Sequence, residues 1–186
     1  MKASRLSGIA IVSIADGTKE GTVRDVVLEP NRRRVVALTI RPTGGRNDKL
    51  VPVKEIHSAG RDAITIPNTD VLKEEHPVRG DGEVYLSELK GTKALADTGE
   101  VVGTISEVEI DPNSFAILGY ELTTGVWSGL TGSRKRLPAD ERVHYGRDVL
   151  IVRESIPAAE VKESRAEVKE SRAEARAKEK AHSRRH

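Results

Sequence analysis

The feature that most constrains this chain is an internal duplication of its glycines and turns. The two halves carry matched positions in the same order, at offsets of 81 to 86 residues: Gly8 with Gly91, Asp16 with Asp97, Gly21 with Gly103, Pro30-Asn31 with Pro112-Asn113, Val51-Pro52 with Leu137-Pro138, and Gly60-Arg61-Asp62 with Gly146-Arg147-Asp148. An ordered self-match over so many positions is typical of two copies of one folding unit. We therefore expect two similar halves.

The duplication also predicts the domain boundaries. Repeat 1 covers residues 1–67, repeat 2 covers residues 85–154, and a linker at 68–84 contains Asn68, Pro77 and Gly80, residue types that favour turns. Residues 155–186 form a tail without a counterpart. Each repeat is close to the smallest size at which a domain can build its own hydrophobic core.

Short segments of alternating apolar and polar residues lie between the turns, which predicts an all-β fold. The strands predicted in repeat 1 are Ala10–Ile14, Gly21–Leu28, Val35–Arg41, Leu50–Pro52 and Ala63–Ile66. So few short strands cannot form two stacked sheets, so we expect each repeat to close into a small β-barrel without exposed edges. One helical turn is predicted within Val53–His57 and another within Pro138–Val143.

Composition excludes several classes of protein. The chain has no cysteine, which rules out a disulfide framework, a thiolate metal site and a cysteine nucleophile. No apolar run reaches the length of about 20 residues that a membrane span needs, so we expect a cytoplasmic protein. The net charge is +2, and residues 157–186 carry nine Lys or Arg against six Asp or Glu, which leaves the duplicated body close to neutral. This balance disfavours a strongly cationic nucleic-acid-binding domain.

The duplicated motif resembles the PRC-barrel family. The residues that carry the resemblance are Leu6-Ser7-Gly8, Asp16-Gly17, Gly21 through Leu28, Pro30, Val35 through Leu38, Val51-Pro52 and Gly60 through Ile64, and repeat 2 resembles the family independently. The family includes the barrel of the photosynthetic reaction-centre H subunit and that of the ribosome-maturation factor RimM. The resemblance covers both repeats, about residues 3–67 and 85–153, and leaves the tail unmatched.

The resemblance implies a docking or scaffold module without shared catalytic residues. It therefore favours a non-enzymatic adaptor that binds protein partners. Two alternatives stay open: an RNA- or ribosome-associated protein, and a peripheral component of a photosynthetic or other electron-transfer membrane complex. Because the resemblance is one of fold, it does not choose between these functions.

The residue types that often carry chemistry do not form a catalytic pattern here. The five histidines lack metal-ligand spacing on a predicted helix, and we expect no catalytic residue, no cofactor and no metal. Asp16 and Asp97 fit turns in which a short polar side chain accepts a bond from its own backbone. Asp25 and Glu107 recur at matched positions in predicted strands, where we expect them to face solvent.

Features that the repeats do not share are the candidates for partner binding. Trp127, the only tryptophan, lies in a Gly/Ser/Thr loop and either folds back on its barrel or anchors an interface. The basic triplets at residues 32–34 and 134–136 are either solvated or able to contact phosphates. The tail is either a helix from about Ala158 to Lys180 or partly disordered. A helix would carry one basic stripe, which could bind a complementary partner or a second copy of the chain. The candidate partner-binding residues are Trp127, Arg134, Lys135, Arg136, Lys162, Arg165, Lys169, Arg172 and Arg176.

Overall fold

The fold is taken from a computed structural model, which describes residues 1–74, 82–124 and 133–153. Met1–Val152 forms one compact unit, and Arg153–His186 forms a second, of which only Arg153 is described. The predicted tail helix and the loop around Trp127 lie outside the described residues.

Repeat 1 forms a sheet whose strands run in the order β5-β6-β1-β2-β3-β4-β7. Neighbours are antiparallel except β1 and β6, which are parallel. An eighth strand, β8, joins this sheet from the repeat 2 side of the chain by pairing with β2. The strands are β1 Ala10–Ser13, β2 Lys19–Glu29, β3 Arg34–Pro42, β4 Lys49–Pro52, β5 Ser58–Ala59, β6 Ala63–Ile66, β7 Lys73–Glu74 and β8 Val84–Tyr85.

Repeat 2 forms a second sheet with the matching order β12-β11-β10-β9-β14-β13. It begins with the single-turn helix α1, Leu86–Leu89, at the position that a 3₁₀ turn, Ala3–Leu6, occupies in repeat 1. Here too the one parallel pair, β9 with β14, joins the matched strands. The strands are β9 Lys93–Ala96, β10 Val101–Ile110, β11 Ile117–Thr124, β12 Ser133–Pro138, β13 Val143–Tyr145 and β14 Val149–Val152.

The prediction of a duplicated, mainly β fold is confirmed by these two sheets. The strands predicted in repeat 1 are all present, with ends that differ by at most two residues. The very short strands β5, β7, β8 and β13 are absent from the prediction, because two or three residues are too few to show a periodicity. A helical turn does form at Val53–Glu55. Within Pro138–Val143 the chain forms a hydrogen-bonded turn instead of a helix: the amide of Val143 donates to the carbonyl of Asp140 over 3.1 Å, and the carboxylate of Asp140 accepts a bond from the Arg142 amide.

A matched β-bulge explains the residue pattern of the longest strands. In β2 the pairing with β3 skips Arg24, and in β10 the pairing with β11 skips Ser106 at the equivalent position. A bulge inserts one unpaired residue and reverses which side chains face the core beyond it. Val23 and Val26 therefore both point inward, although they are three residues apart.

One hydrophobic cluster runs through both repeats. It includes Leu6, Ile11 and Leu38 from the first copy, and Leu89 and Tyr120 from the second. Tyr120 is 1% exposed, and burial of its phenol raises the pKa of the side chain. Its counterpart in repeat 1 is Leu38. The two matched side chains are therefore both buried, although they differ in volume. The two sheets are therefore packed against a shared core.

Candidate functional site

The hairpin ends of the two repeats bind each other at the junction between the sheets. The amide of Val35 donates to the carbonyl of Phe115 over 2.9 Å, and the amide of Ile117 donates to the carbonyl of Arg33 over 2.8 Å. These two bonds are equivalent under the 82-residue offset. Arg33 and Phe115 both adopt the left-handed conformation, with φ of 53° and 57°. Residues other than glycine rarely adopt it, and they do so where the surrounding contacts hold them there.

The first residues of each repeat pair with the sheet of the other repeat. Lys2 forms an antiparallel bridge with Glu109 of β10, and β8 pairs with β2 so that Val84 lies opposite Leu28. The amino group of Met1 also donates to the carbonyl of Ile110 over 2.5 Å. Each copy thus contributes an edge segment to the other, and the pairing joins the halves through backbone hydrogen bonds.

Two serine–carboxylate contacts, here called the paired clasps, hold these exchanged segments. In the first, the Ser4 hydroxyl and amide donate to the Glu107 carboxylate over 2.5 and 3.3 Å. In the second, the Ser87 hydroxyl and amide donate to the Asp25 carboxylate over 2.5 and 3.3 Å. The expectation that Asp25 and Glu107 face solvent is therefore wrong: the matched bulges aim both carboxylates at the opposite repeat, and Glu107 is 6% exposed. The sequence signal that could have revealed them is the recurrence of Ser4 as Ser87.

The first basic triplet belongs to the same junction. Arg32 lies in a 3₁₀ turn, Arg33 follows in the left-handed conformation, and Arg34 begins β3. Arg32 and Arg34 both bind the carboxylate of Glu29, at 3.1 and 2.6 Å, and Glu29 is 8% exposed. Because two of the three guanidinium groups share this one carboxylate, the triplet is a structural element of the hairpin end. The side-chain amide of nearby Asn31 reinforces it by donating to the carbonyl of Tyr145 in repeat 2.

The second basic triplet lies on an exposed strand. Arg134, Lys135 and Arg136 occupy the middle of β12, and all three are exposed. Arg136 binds Glu109 at 2.5 Å. Within the part of the chain that the structure describes, the side chains of Arg134 and Lys135 make no hydrogen bond or ion pair. Among the described residues these two cations therefore lack a carboxylate partner, in contrast to Arg32 and Arg34 of the first triplet.

The connection between the third and fourth strands of each repeat is where the copies differ most. In repeat 1 it borders a concave surface of about 460 Å³, lined by Pro42, Thr43, Gly44, Arg46, Lys49 and Glu74 among others. Asp48 in this connection forms an ion pair with Arg24. The matching residues in repeat 2 are Arg134, in the place of Asp48, and Ser106, in the place of Arg24. The acidic residue just before β4 is therefore replaced by a basic residue near the start of β12. The remaining candidates, Trp127, Lys162, Arg165, Lys169, Arg172 and Arg176, lie outside the described residues.

Across 1–74, 82–124 and 133–153, there is no group of three or more His, Asp or Glu side chains that could hold a metal ion. These carboxyl groups serve local turns: hydrogen bonds from Arg142 lower the pKa of Asp140, and the amide of Thr18 donates to the carboxylate of Asp16 over 3.1 Å. His57 and His144 are both exposed. In the same residues, no helix is long and apolar enough to cross a membrane.

Comparison with known families agrees with the duplicated architecture. The family model described as the PRC-barrel domain matches the chain twice, over residues 1–73 and 81–156. No curated protein matches the chain significantly. The two matches cover most of the chain and coincide with the two sheets of equal strand order. The chain therefore belongs to the PRC-barrel domain family, with two copies of the domain in tandem.

Proposed function

We propose that this protein is a non-enzymatic scaffold that docks protein partners on the surfaces its two repeats do not share. The proposal rests on a difference between two groups of polar residues, those at duplicated positions and those on β12. Duplicated groups such as Asp25 and Glu107 hold the repeats together, whereas the cations of β12 stay exposed. A compact body with a strand on which two exposed cations lack a carboxylate partner among the described residues suits a role in binding rather than in chemistry.

A docking surface binds a partner more favourably when its backbone is already rigid in the free protein. Fixing a backbone segment on binding costs conformational entropy, and a preformed surface avoids that cost. Here β12 is one strand of a six-stranded sheet, and residue by residue it pairs with β11 from Ser133 to Pro138. The strand is therefore presented in a defined conformation by the shared core behind it.

A second candidate function is binding to RNA, in isolation or on the ribosome. It is favoured by the exposure of Arg134 and Lys135, because cationic side chains without a carboxylate partner can contact phosphates. The near-neutral charge of the duplicated body makes it the weaker candidate. A peripheral place in an electron-transfer membrane complex and a cytoplasmic location both stay predictions from the sequence.

Photo-crosslinking in the native cell tests the proposal. The photoreactive amino acid p-benzoylphenylalanine is introduced at Lys135 in the full chain. The control carries it at Lys49, the matched position in repeat 1, where β7 covers the strand. We expect defined protein adducts from position 135 that survive nuclease treatment and are absent from position 49. Adducts that contain only nucleic acid would favour the second candidate, and the absence of any adduct would contradict docking at this strand.

A further inference from the structure

The outer edge of β12 differs from its counterpart in repeat 1. In the first sheet, β4 pairs on one side with β3 and on the other side with β7, so that both of its edges are bonded. In the second sheet, β12 pairs with β11 on one side. Within residues 1–74, 82–124 and 133–153, no strand pairs with its other side. An unpaired edge presents a row of backbone donors and acceptors that can accept one more strand.

The matched sheet shows which residues such a strand would contact. The alignment of Val51-Pro52 with Leu137-Pro138 places Lys49 at the position of Lys135 and Leu50 at that of Arg136. In repeat 1, Lys49 lies opposite Glu74 and Leu50 lies opposite Lys73 of β7. The part of β12 that corresponds to the β7-binding part of β4 is therefore Lys135-Arg136, and Arg134 precedes it directly.

Charge decides what kind of strand fits there. Opposite charges on directly facing residues stabilise a strand pair, and like charges destabilise it. In repeat 1 the facing pair of Lys49 and Glu74 follows this rule. A second copy of β12 would place Arg134, Lys135 and Arg136 against the same three cations, so the edge disfavours pairing with itself. An acidic strand meets a cation on each face, because Lys135 points to one side of the sheet while Arg134 and Arg136 point to the other.

We propose that the outer edge of β12 binds an extended acidic segment of a partner protein by strand addition, antiparallel to β12 as β7 is to β4. This inference rests on the proposed function and specifies its partner. Backbone hydrogen bonds from the edge supply the affinity, and the cations of residues 134–136 select acidic side chains. Arg136 already binds Glu109, so Arg134 and Lys135 are the selecting residues.

The probe is a blocked octapeptide of alternating Glu and Val, titrated into the ¹⁵N-labelled full chain and followed by amide chemical shifts. Two further peptides carry N-methyl groups on all the Val amides or on every amide. Only alternate amides of an added strand point at the edge, so the peptide methylated on Val alone can turn its Glu amides to the edge and should keep most of its affinity, whereas the fully methylated peptide should bind roughly tenfold or more weakly. Shifts are expected to centre on the amides of residues 134–136.

Protein variants test the charge selection separately. The double variant Arg134→Glu/Lys135→Glu should weaken binding by roughly tenfold or more, because the Glu face of the peptide meets residue 134 or residue 135 in either orientation and the facing pair becomes repulsive. The matched control is Lys93→Glu, which reverses an exposed lysine on the inner strand β9 and should leave binding unchanged. Circular dichroism checks that each variant is folded.

Four outcomes would overturn the inference: no binding to the full chain, shifts centred away from β12, equal binding by both methylated peptides, or tighter binding of an octauridylate at the same amides. Equal binding by both methylated peptides would indicate attraction between side chains alone. If position 135 still crosslinks to a protein in that case, the proposed docking function stands and strand addition fails. If no protein adduct forms at all, the docking function fails as well.

Discussion

Ser4 and Glu107, 103 residues apart in the chain, form the same two-bond contact that Ser87 and Asp25 form in the opposite direction. In each pair the serine lies in the single helical turn that begins its repeat, Ala3–Leu6 or Leu86–Leu89, and the carboxylate follows the β-bulge of the other repeat. The contact is reciprocal, so a single pair of residues, once duplicated, yields two such contacts between the copies. The duplicated polar residues therefore form contacts that join the two repeats.

The buried clasp should contribute more stability than the exposed one. Glu107→Ala removes the acceptor of both Ser4 bonds in a site that is 6% exposed, and we expect a loss of about 2 kcal/mol in the free energy of unfolding by urea. Asp25→Ala should cost less, because water can reach the exposed Ser87 and replace the lost bonds. A double-mutant cycle with Ser4→Ala should give a coupling energy of about 1 kcal/mol. A coupling near zero would contradict the clasp.

The two repeats should lose their structure together. Leu6 belongs to repeat 1 but lies in the cluster that both sheets share, and it is 1% exposed. Leu6→Ala is expected to cost about 3 kcal/mol through the lost burial and the cavity left behind. Hydrogen exchange read by mass spectrometry should then show faster exchange in β10 as well as in β2. Exchange that changes in β2 alone would indicate that the repeats unfold independently.

Matched glycines should differ in their tolerance of a methyl group. At Gly21 an added Cβ would collide with the backbone carbonyl of Arg41, whereas at Gly103 it would lie 3.0 Å from the Leu122 Cβ and the Thr123 carbonyl. Backbone of a paired strand cannot move without breaking its ladder. We therefore expect Gly21→Ala to destabilise the chain by about 3 kcal/mol and Gly103→Ala by about 1 kcal/mol. Thermal unfolding of the two variants measures the difference, and equal losses would contradict it.

Asp111 should contribute stability that depends on pH. Its carboxylate accepts hydrogen bonds from the amides of Ser114 and Asn113, at 2.8 and 2.9 Å, which lower its pKa below the usual 3.8. Because the folded chain favours the charged form, this contribution is complete above the unfolded pKa and is lost as pH falls through the lower folded value. Asp111→Asn keeps an acceptor but removes the charge. Its stability deficit at pH 7 should therefore shrink towards pH 2, and a constant deficit would contradict this account.

The local pattern of the sequence was sufficient for the longer strands of repeat 1 and for the turns between them. Turn residues such as Pro30-Asn31 and Pro112-Asn113 and the alternation between them predicted the strands of repeat 1 closely. It was insufficient at the bulges, where one extra residue reverses the inward face, and Asp25 and Glu107 were misplaced for that reason. A periodicity of two cannot show where it is interrupted unless the partner strand is known.

The sequence by itself determined that this chain is a duplicated PRC-barrel protein. Turn residues and hydrophobic periodicity are local properties, and each copy shows them independently of the other. Only the tertiary structure decided how the copies join and which charges stay available. The triplets at 32–34 and 134–136 look alike as strings, yet Glu29 neutralises part of the first and the second lies along a strand edge. That difference depends on contacts between residues and strands that folding brings together. It therefore cannot be predicted from the composition of the two triplets.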